Sequence, residues 1–385
     1  MKILSNTEAS KKLMSILPQD IHILADLFKS AGFDLTLVGG CVRDVFLNQT
    51  PKDFDVCTNA LPNDIIKILS DANISYTEQG KAFGVIVSRM SEDIEIASYR
   101  IDLNNTDDRN TDVKLGVTLK EDLFRRDLTI NALAMSLNTY EIIDIVGGIE
   151  DLKNNIIRTV GDPYQRFQED NLRRLRAIRF ASRLGFTIET ETLLAIQMDP
   201  SLNVAEERIV NELENAFGKT KSISDLVLWL SCSGLLDVIM KGIPTLTLKD
   251  IDCTKITDFT TFIASFIDKS KVSDTKVLED ALKDKKFTAK LCAGVRLLFD
   301  FDNVHTLCPI AFTNKLKSTD LNALSLNTFH SNVLFGVAAK FKQKDGLSEE
   351  LMAQGIKGKE LGDKLKLIAR QSLDEQIQVL KIYNF

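Results

Sequence analysis

The chain has 385 residues, of which 44% are hydrophobic and 26% charged, so a folded protein with a sizeable core in roughly two to four domains is expected. Its six cysteines form no CxxC pair and only three histidines occur, which argues against a zinc site, a disulfide framework and a Ser-His-Asp triad. The net charge of −6 argues against a nucleic-acid partner unless a local basic stripe provides the contacts to phosphate.

No membrane association is expected from the apolar segments. The start of the chain, Met1–Glu8, turns polar too soon for a signal peptide. The most apolar later stretch, residues 226–240, is interrupted by Ser231, Ser233 and Asp237 and is shorter than the ~20 residues of a membrane span. These features predict a cytoplasmic protein.

The first 150 residues alternate helical and strand patterns, as in an α/β or α+β unit. Residues 10–30 have apolar positions at helical spacing. Four short apolar runs predict strands at residues 35–38, 54–57, 84–88 and 94–97. The last two are close enough in sequence to form a hairpin. Residues 104–112 are polar and predict a mobile loop.

Two glycines separate the first predicted strand from a helix. Gly39 and Gly40 allow backbone N–H groups to approach a phosphate at the positive end of that helix, and Arg43 can add a charge-assisted contact. Asp53 and Asp55 alternate along the second predicted strand, so they are expected on one face. Two carboxylates there make the oxygen-rich site that Mg²⁺ prefers, with substrate phosphates completing its shell. The pattern therefore predicts a magnesium and phosphate site.

The sequence after residue 150 shows helical periodicity, and no strand is predicted there. Residues 166–183 contain six arginines against only Glu169 and Asp170. Arginines 173, 176 and 179 share one broad helix face, and Arg173 follows Asp170 by three residues, so these two can reach one ligand together. This segment is the local basic stripe that the overall charge requires.

An Asp/Arg pair has a clear preference among nucleobases. A carboxylate accepts from an exocyclic amine, while a guanidinium donates to ring acceptors. Cytosine and adenine both place an amine beside a ring acceptor, so Asp170 and Arg173 would accept both and reject guanine and uracil. The alternative, a solvated helix with ion pairs at i, i+3 spacing, does not explain why the pair follows the other motifs in order.

Three regions, taken in order, resemble the nucleotidyltransferase superfamily in the form of the bacterial-type (class II) CCA-adding enzymes and bacterial poly(A) polymerases. The first combines Leu37–Asp44 with Asp53–Val56, the second is Asp122–Ala132, and the third is Glu169–Phe180. The second is similar to the family's RRDFTINA motif, with Leu128 in place of the usual phenylalanine. The third matches the family's EDxxR motif.

The resemblance implies an α+β fold with an all-helical continuation. A polymerase-β-like nucleotidyltransferase palm, with a mixed sheet and helices, is expected over residues 1–150. All-α domains should follow as a neck at 151–218 that recognises the base, a body at 219–330 that binds RNA, and a tail at 331–385.

The resemblance also implies roles for individual residues. Asp53 and Asp55 would be the catalytic metal ligands, Arg126 would contact the nucleotide, and Glu169 would orient Arg173. Asp127 and Asn131 would brace the sugar or the turn. The expected nucleotide-binding residues are Gly39, Gly40, Arg43, Asp44, Arg126, Asp127, Asn131, Glu169, Asp170, Arg173, Arg176 and Arg179.

The implied reaction adds CMP and AMP to an RNA 3′ end. The 3′-hydroxyl attacks the α-phosphorus of CTP or ATP, pyrophosphate leaves, and Mg²⁺ stabilises the charge on both oxygens. Glu95, expected on the same sheet face, is the candidate for a third carboxylate that activates the hydroxyl. The RNA partner implied is tRNA, which the helical part would grip by shape.

Four specificities share these motifs: full CCA addition, CC addition, A addition and poly(A) synthesis. Residues 98–113 match the flexible loop that CC-only relatives lack, and residues 80–87 lack the arginine-rich run of bacterial poly(A) polymerases, which favours full CCA addition. A catalytically silent RNA-binding relative would not need the metal carboxylates. An antibiotic-modifying nucleotidyltransferase would not need so long a helical half.

Overall fold

A computed structural model describes residues 3–103, 113–272, 274–302 and 352–354. The chain divides into two compact units, Met1–Ile239 and Met240–Phe385. The predicted mobile loop at residues 104–112 and most of the predicted tail lie outside the described residues. The division into palm, neck, body and tail stays a prediction.

The first unit contains eleven described strands and twelve described α-helices. The strands are β1 (Leu35–Val38), β2 (Val56–Thr58), β3 (Ser75–Thr77), β4 (Val85–Arg89), β5 (Asp93–Ser98), β6 (Arg100–Asp102), β7 (Val113–Leu115), β8 (Ala134–Ser136), β9 (Ile142–Ile143), β10 (Ile156–Ile157) and β11 (Thr187–Ile188). The helices are α1 (Asn6–Ile16), α2 (Gln19–Ser30), α3 (Gly40–Phe46), α4 (Pro62–Asp71), α5 (Leu119–Phe124), α6 (Gly148–Asn154), α7 (Pro163–Glu169), α8 (Leu172–Leu184), α9 (Thr190–Met198), α10 (Glu206–Lys219), α11 (Ile223–Cys232) and α12 (Leu235–Ile239).

Seven of these strands form one mixed sheet in the order β3-β4-β5-β2-β1-β8-β9. Neighbouring strands are antiparallel except for β2 and β5, which are parallel. The central strand β1 is buried along its whole length, which explains its unbroken apolar sequence. The predicted α+β class with a mixed sheet is therefore confirmed, as are the strand at 35–38 and the hairpin of β4 and β5.

Two details of the strand prediction are wrong. Strand β2 begins at Val56, so Asp53 and Asp55 lie in the segment just before it instead of within it. Strands β10 and β11 also form a short parallel pair in the region where no strand was predicted. Each has two residues, too few for an alternation pattern to be recognised in the sequence.

The arginine-rich helix α8 is the centre of the helical part of this unit. It packs against α10 and α11, and Gly185 ends it in the left-handed conformation at φ 71°. Arg179 donates to Glu212 of α10, and both side chains are buried. Arg174 donates to Asp199 at 2.7 Å and stacks on Phe167. The arginines of the predicted basic stripe are therefore each paired with a carboxylate, and these carboxylates come from segments before and after α8.

Helix α8 is also joined to the sheet part of the unit by ion pairs. Arg176 donates to Asp127, with Nε 2.7 Å and Nη2 2.6 Å from Oδ2. The Arg183 Nη2 lies 3.6 Å from the Asp44 carboxylate of α3. Asp127 is buried, so its ionised form is stable only while Arg176 remains beside it.

The second unit, as far as it is described, is helical. Its described α-helices are α13 (Phe259–Ser265), α14 (Thr275–Asp284) and α15 (Ala289–Asp302). Phe262 and Phe266 form an edge-to-face pair with centroids 4.8 Å apart inside its core. Among the described residues, no helix has the length and apolar composition required to cross a membrane.

We predict that Asp127→Asn destabilises the first unit by about 2 kcal/mol near neutral pH. Burial opposes ionisation of Asp127, but Arg176, Asn131 and the Leu128 N–H outweigh it and lower the pKa to about 2. Because the pKa of Asp127 is lower in the folded than in the unfolded protein, its ionisation stabilises the fold at pH values above the unfolded pKa near 4. This contribution is lost as the pH falls towards the folded pKa of about 2. The substitution should therefore cost about half as much stability at pH 3 as at pH 6.

Urea unfolding followed by the fluorescence of Trp229 measures this effect, because the single tryptophan lies in α11 of the same unit. Asp26→Asn, which changes an exposed carboxylate on α2, is the matched control. An equal loss of stability at both pH values would contradict the prediction.

Candidate active site

The turn after β1 is built around Gly39. Its φ of 77° and ψ of −121° are available to glycine without strain. A Cβ atom there would lie 3.4 Å from Nη1 of Arg126 and 3.5 Å from the Asn131 carbonyl oxygen. The Gly39 N–H donates to the carbonyl of Leu133 at 2.8 Å. The absence of a side chain at Gly39 therefore allows the chain to turn and the Arg126 guanidinium to lie close to the backbone of the turn. The Gly39 N–H is already hydrogen-bonded to Leu133.

Arg43 lies at the base of the turn and is almost fully buried. Its Nε and Nη2 donate to Oδ1 of Asp44 at 2.9 and 2.6 Å, and its Nη1 donates to Oδ1 of Asn131. The guanidinium also lies 5.1 Å from the ring centroid of Phe180. Arg43 is therefore held rigidly between α3, the Asn131 turn and α8.

The two predicted metal ligands lie opposite this turn. The Asp55 carbonyl accepts from the Val38 N–H at 3.1 Å, which anchors the Asp53–Asp55 segment to β1. Both carboxylates line the same cleft. Asp55 is accessible to solvent, yet the cleft walls desolvate it and raise its pKa; Arg126 counteracts this shift and Asp53 adds to it.

This environment fits a divalent cation. Two carboxylates in a partly desolvated cleft favour a bound positive charge, and Mg²⁺ commonly uses one or two protein carboxylates together with substrate phosphates. No group of three or more histidine, cysteine or acidic residues suited to a metal occurs in the described ranges. Asp53 and Asp55 would therefore hold the ion together with its nucleotide.

Arg126 is fixed by a residue that the sequence argument did not single out. Its Nη2 donates to Oδ2 of Asp122 at 3.1 Å, while Arg125 donates to Oδ1 of the same carboxylate at 2.8 Å. Burial opposes ionisation of Asp122, but Arg126 and Arg125 outweigh it and lower its pKa. The Nε of Arg126 is buried without a hydrogen-bond partner. The i, i+3 and i, i+4 spacing of Asp122 to the two arginines was the signal available in the sequence.

Asp127 and Asn131 are hydrogen-bonded to each other and to two arginines. The Asn131 Nδ2 donates to Oδ1 of Asp127 at 3.2 Å, and Asn131 accepts from Arg43. Arg176 donates to the other carboxylate oxygen of Asp127. A continuous hydrogen-bonded series, Arg43–Asn131–Asp127–Arg176, therefore connects α3 to α8; we call it the bracing network.

The EDxxR residues form a second cluster. Oε2 of Glu169 accepts from Arg173 at 2.7 Å and from Arg166 at 2.6 Å. Asp170 instead lies 3.3 Å from Arg208 of α10. The second guanidinium nitrogen of Arg173 lies 3.8 Å from Asp102, at the end of β6.

A cleft of about 500 Å³ brings most of these residues together. The predicted site residues that line it are Gly39, Gly40, Arg43, Asp44, Asp53, Asp55, Arg126, Asp127, Asn131 and Arg176. Glu169, Asp170, Arg173 and Arg179 are not among the lining residues, and Arg179 is used in its ion pair with Glu212. The residues that sequence reasoning missed are Cys41, Lys52, Phe180, Arg183 and Lys219.

Glu95 is exposed on β5, where it pairs in register with Val87. Ile96, which follows Glu95 in β5, pairs with Val56, which follows Asp55. Glu95 and Asp55 therefore occupy neighbouring positions on these two parallel segments. Glu95 does not line the cleft. Its role as a third catalytic carboxylate stays a prediction.

Comparison with known proteins agrees with this architecture. Residues 35–158 match the poly A polymerase head domain family. A CCA-adding enzyme of Pediococcus pentosaceus is 41% identical over 199 residues, which cover 51% of this chain and 49% of that protein. A CCA-adding enzyme of Leuconostoc mesenteroides is 33% identical over 273 residues, covering 68% of this chain and 66% of that protein. The match thus spans about half to two thirds of the length of these relatives.

Solved structures show the same fold. The crystal structure of the Bacillus stearothermophilus CCA-adding enzyme in complex with CTP aligns with a TM-score of 0.62 at 24% identity and covers 93% of each chain. At this identity the likeness is evidence for the fold alone. The matched head domain and the curated relatives show that this chain belongs to the bacterial-type CCA-adding enzyme and poly(A) polymerase family.

Proposed function

We propose that this protein is a tRNA nucleotidyltransferase that adds CMP, CMP and AMP to the tRNA 3′ end from CTP and ATP. The observation that carries the proposal is the cleft itself, which places Asp53 and Asp55 beside Arg126 and the bracing network. Carboxylates for a metal and guanidinium groups for a triphosphate are the two requirements of nucleotidyl transfer. The curated relatives named above are called CCA-adding enzymes, which favours this specificity.

The residues of the cleft divide the task between them. A magnesium ion held by Asp53 and Asp55 would lower the charge cost of the attacking and leaving oxygens. Arg126 is fixed by Asp122 and has little freedom left to lose on binding, so it can contact the triphosphate at low entropic cost. Arg43 and Asn131 hold the turn that carries Gly39 in place. The protein thus contributes mainly positioning and electrostatic stabilisation.

Base selection is assigned to Asp170 and Arg173. Arg173 donates to Glu169 through Nη1, while its Nη2 has only the 3.8 Å contact with Asp102, which a ring acceptor of the base would replace. Asp170 would exchange its long contact with Arg208 for the amine of cytosine or adenine. Guanine and uracil offer the opposite donor and acceptor order and would leave both side chains unpaired, which costs about 1–3 kcal/mol for each buried group.

Incorporation on three tRNA transcripts, ending before CCA, after C and after CC, tests the proposed function. Each is incubated with Mg²⁺ and CTP, ATP or both. Addition of three nucleotides to the shortest transcript, followed by a stop, is the expected result. A stop after CC, use of the CC-ended transcript alone, or continued A-tailing would each identify a different specificity, and no incorporation at all would favour a silent RNA-binding relative.

We predict that Asp55→Asn abolishes incorporation of both nucleotides while tRNA binding persists. The substitution keeps the shape of the side chain but removes the charge that a divalent ion requires. Filter binding to tRNA and primer extension are measured in parallel. Asp93→Asn, an exposed carboxylate on β5, is the control and should behave as the unmodified protein. Loss of tRNA binding in Asp55→Asn would contradict the metal assignment.

We predict that Arg173→Gln reduces discrimination against UTP and GTP by at least about tenfold, because a donor to the base edge is lost. The apparent affinity for the triphosphate should change less, since other arginines contact the phosphates. Single-nucleotide incorporation with each of the four triphosphates gives both quantities. Arg89→Gln, at an exposed position on β4 away from the cleft, is the control. Unchanged selectivity would remove the proposed role of Arg173.

A further inference from the structure

The cleft has more cationic than anionic side chains. Six of its lining residues are lysines or arginines and four are aspartates. Arg43, Arg126 and Arg176 each donate to a nearby aspartate. Lys52 and Lys219 form no ion pair with any residue in the described part of the chain. Part of the positive charge of the cleft is therefore not compensated by the protein.

Arg183 is only weakly compensated. It lies in the last turn of α8, with 27% of its side chain exposed, and its Nη2 is 3.6 Å from Asp44. Asp44 already accepts two hydrogen bonds from Arg43. The Arg183 guanidinium also lies 6.0 Å from the centroid of Phe180, whose ring has Arg43 at 5.1 Å. The Asp44 carboxylate is thus shared between two guanidinium groups, and the Phe180 ring has four guanidinium groups within about 6 Å.

Lys219 completes this cationic group at the end of α10. Its pKa is lowered, first by partial desolvation and then by the positive charges of Arg179 and Arg183; Glu212 acts in the opposite direction and Lys52 adds to the lowering. Lys52, Arg183 and Lys219 therefore share one part of the cleft, where the nearby carboxylates of Glu212 and Asp44 already accept hydrogen bonds from Arg179 and Arg43. Such an arrangement is costly unless an anionic ligand occupies it.

We propose that Lys52, Arg183 and Lys219 form a subsite for the two terminal phosphates of the bound triphosphate and for the pyrophosphate released from it. This inference rests on the proposed function. All three residues line the same cleft as Asp53 and Asp55, so a nucleotide whose α-phosphate lies at the carboxylates has its remaining phosphates inside the same space.

The chemistry of transfer places the greatest charge change at this subsite. The RNA 3′-oxygen forms a bond to the α-phosphorus, and the bond from that phosphorus to the bridging oxygen of the β-phosphate breaks. The bridging oxygen keeps the electron pair and leaves as part of pyrophosphate, while the proton of the hydroxyl passes to solvent. Cations that contact the leaving group stabilise the charge that develops on it.

An RNA phosphodiester offers the same phosphate chemistry to these residues. The exposed face of α10 next to Lys219 contains Asn211 and Asn215, whose amides suit a sugar–phosphate backbone. We favour the triphosphate because Lys52 and Arg183 line the enclosed cleft and not this open face of α10. The two sources are separated by the experiment below.

Calorimetric titration of the full chain with inorganic pyrophosphate, with and without Mg²⁺, tests the subsite directly. Lys219→Met should raise the dissociation constant for pyrophosphate about tenfold, the effect of one lost charged contact. Lys52→Met is the second variant and should act in the same direction. Lys153→Met, an exposed lysine on α6, is the matched control, and circular dichroism verifies that each variant is folded.

Incorporation kinetics then identify the source of the phosphate. The KM for both CTP and ATP should rise about tenfold in Lys219→Met, with the KM for tRNA and the selectivity between bases unchanged. Unchanged pyrophosphate affinity in both variants would overturn the subsite, as would a rise confined to the KM for tRNA. If the unmodified protein adds no nucleotide but loses pyrophosphate binding on Lys219→Met, the subsite stands and the proposed function fails.

Discussion

The buried ion pair between Asp127 and Arg176 is the interaction on which the site depends. Asp127 sits in the turn between α5 and β8, and Arg176 is in the middle of α8. Separating two charges of this kind leaves a buried carboxylate without a partner, which typically costs about 3–5 kcal/mol. The pair therefore sets the position of α8 relative to the sheet within the first unit. Through Asn131 it also sets the position of Arg43.

Pairing of buried charges also explains why one helix can contain so many arginines. Arg173 is paired with Glu169, Arg174 with Asp199, and Arg179 with Glu212. Each carboxylate comes from a different segment, so the arginines hold α8 against the surrounding helices as well as providing charge. The arginine-rich pattern therefore has a structural role, to which the proposed function adds base recognition by Arg173.

Much of the fold and of the site could be predicted from local sequence patterns. Strand β1, its two glycines and the order of the three motifs are local features, so a single segment contains the information. The start of β2 at Val56 was missed because the pairing with β1 and β5, rather than alternation, defines that strand. The β10–β11 pair was missed because it joins two residues to two others about thirty positions away.

The cleft residues that were not predicted show that local sequence patterns do not reveal contacts between distant segments. In the sequence, Phe180 is one of several apolar residues of an arginine-rich segment, and Lys219 is one lysine at the end of another helix. Nothing in their local spacing indicates that α3, α8 and the end of α10 meet. Asp170 and Arg173 were expected to reach one ligand together, which stays a prediction; in the structure Asp170 contacts Arg208 and Arg173 contacts Glu169, because an i, i+3 spacing does not determine the long-range partners.

The cleft contains two groups of like charges, one of carboxylates and one of cationic side chains, and the members of each group repel one another. Asp53 and Asp55 repel each other, which contributes to the raised pKa of Asp55. Arg183 and Lys219 each have a lowered pKa, in part because further cations surround them. A metal ion alone would relieve the first group and a polyphosphate alone the second. A metal–triphosphate complex, the proposed substrate, would relieve both groups at once, so its binding would gain more free energy than the binding of either component alone.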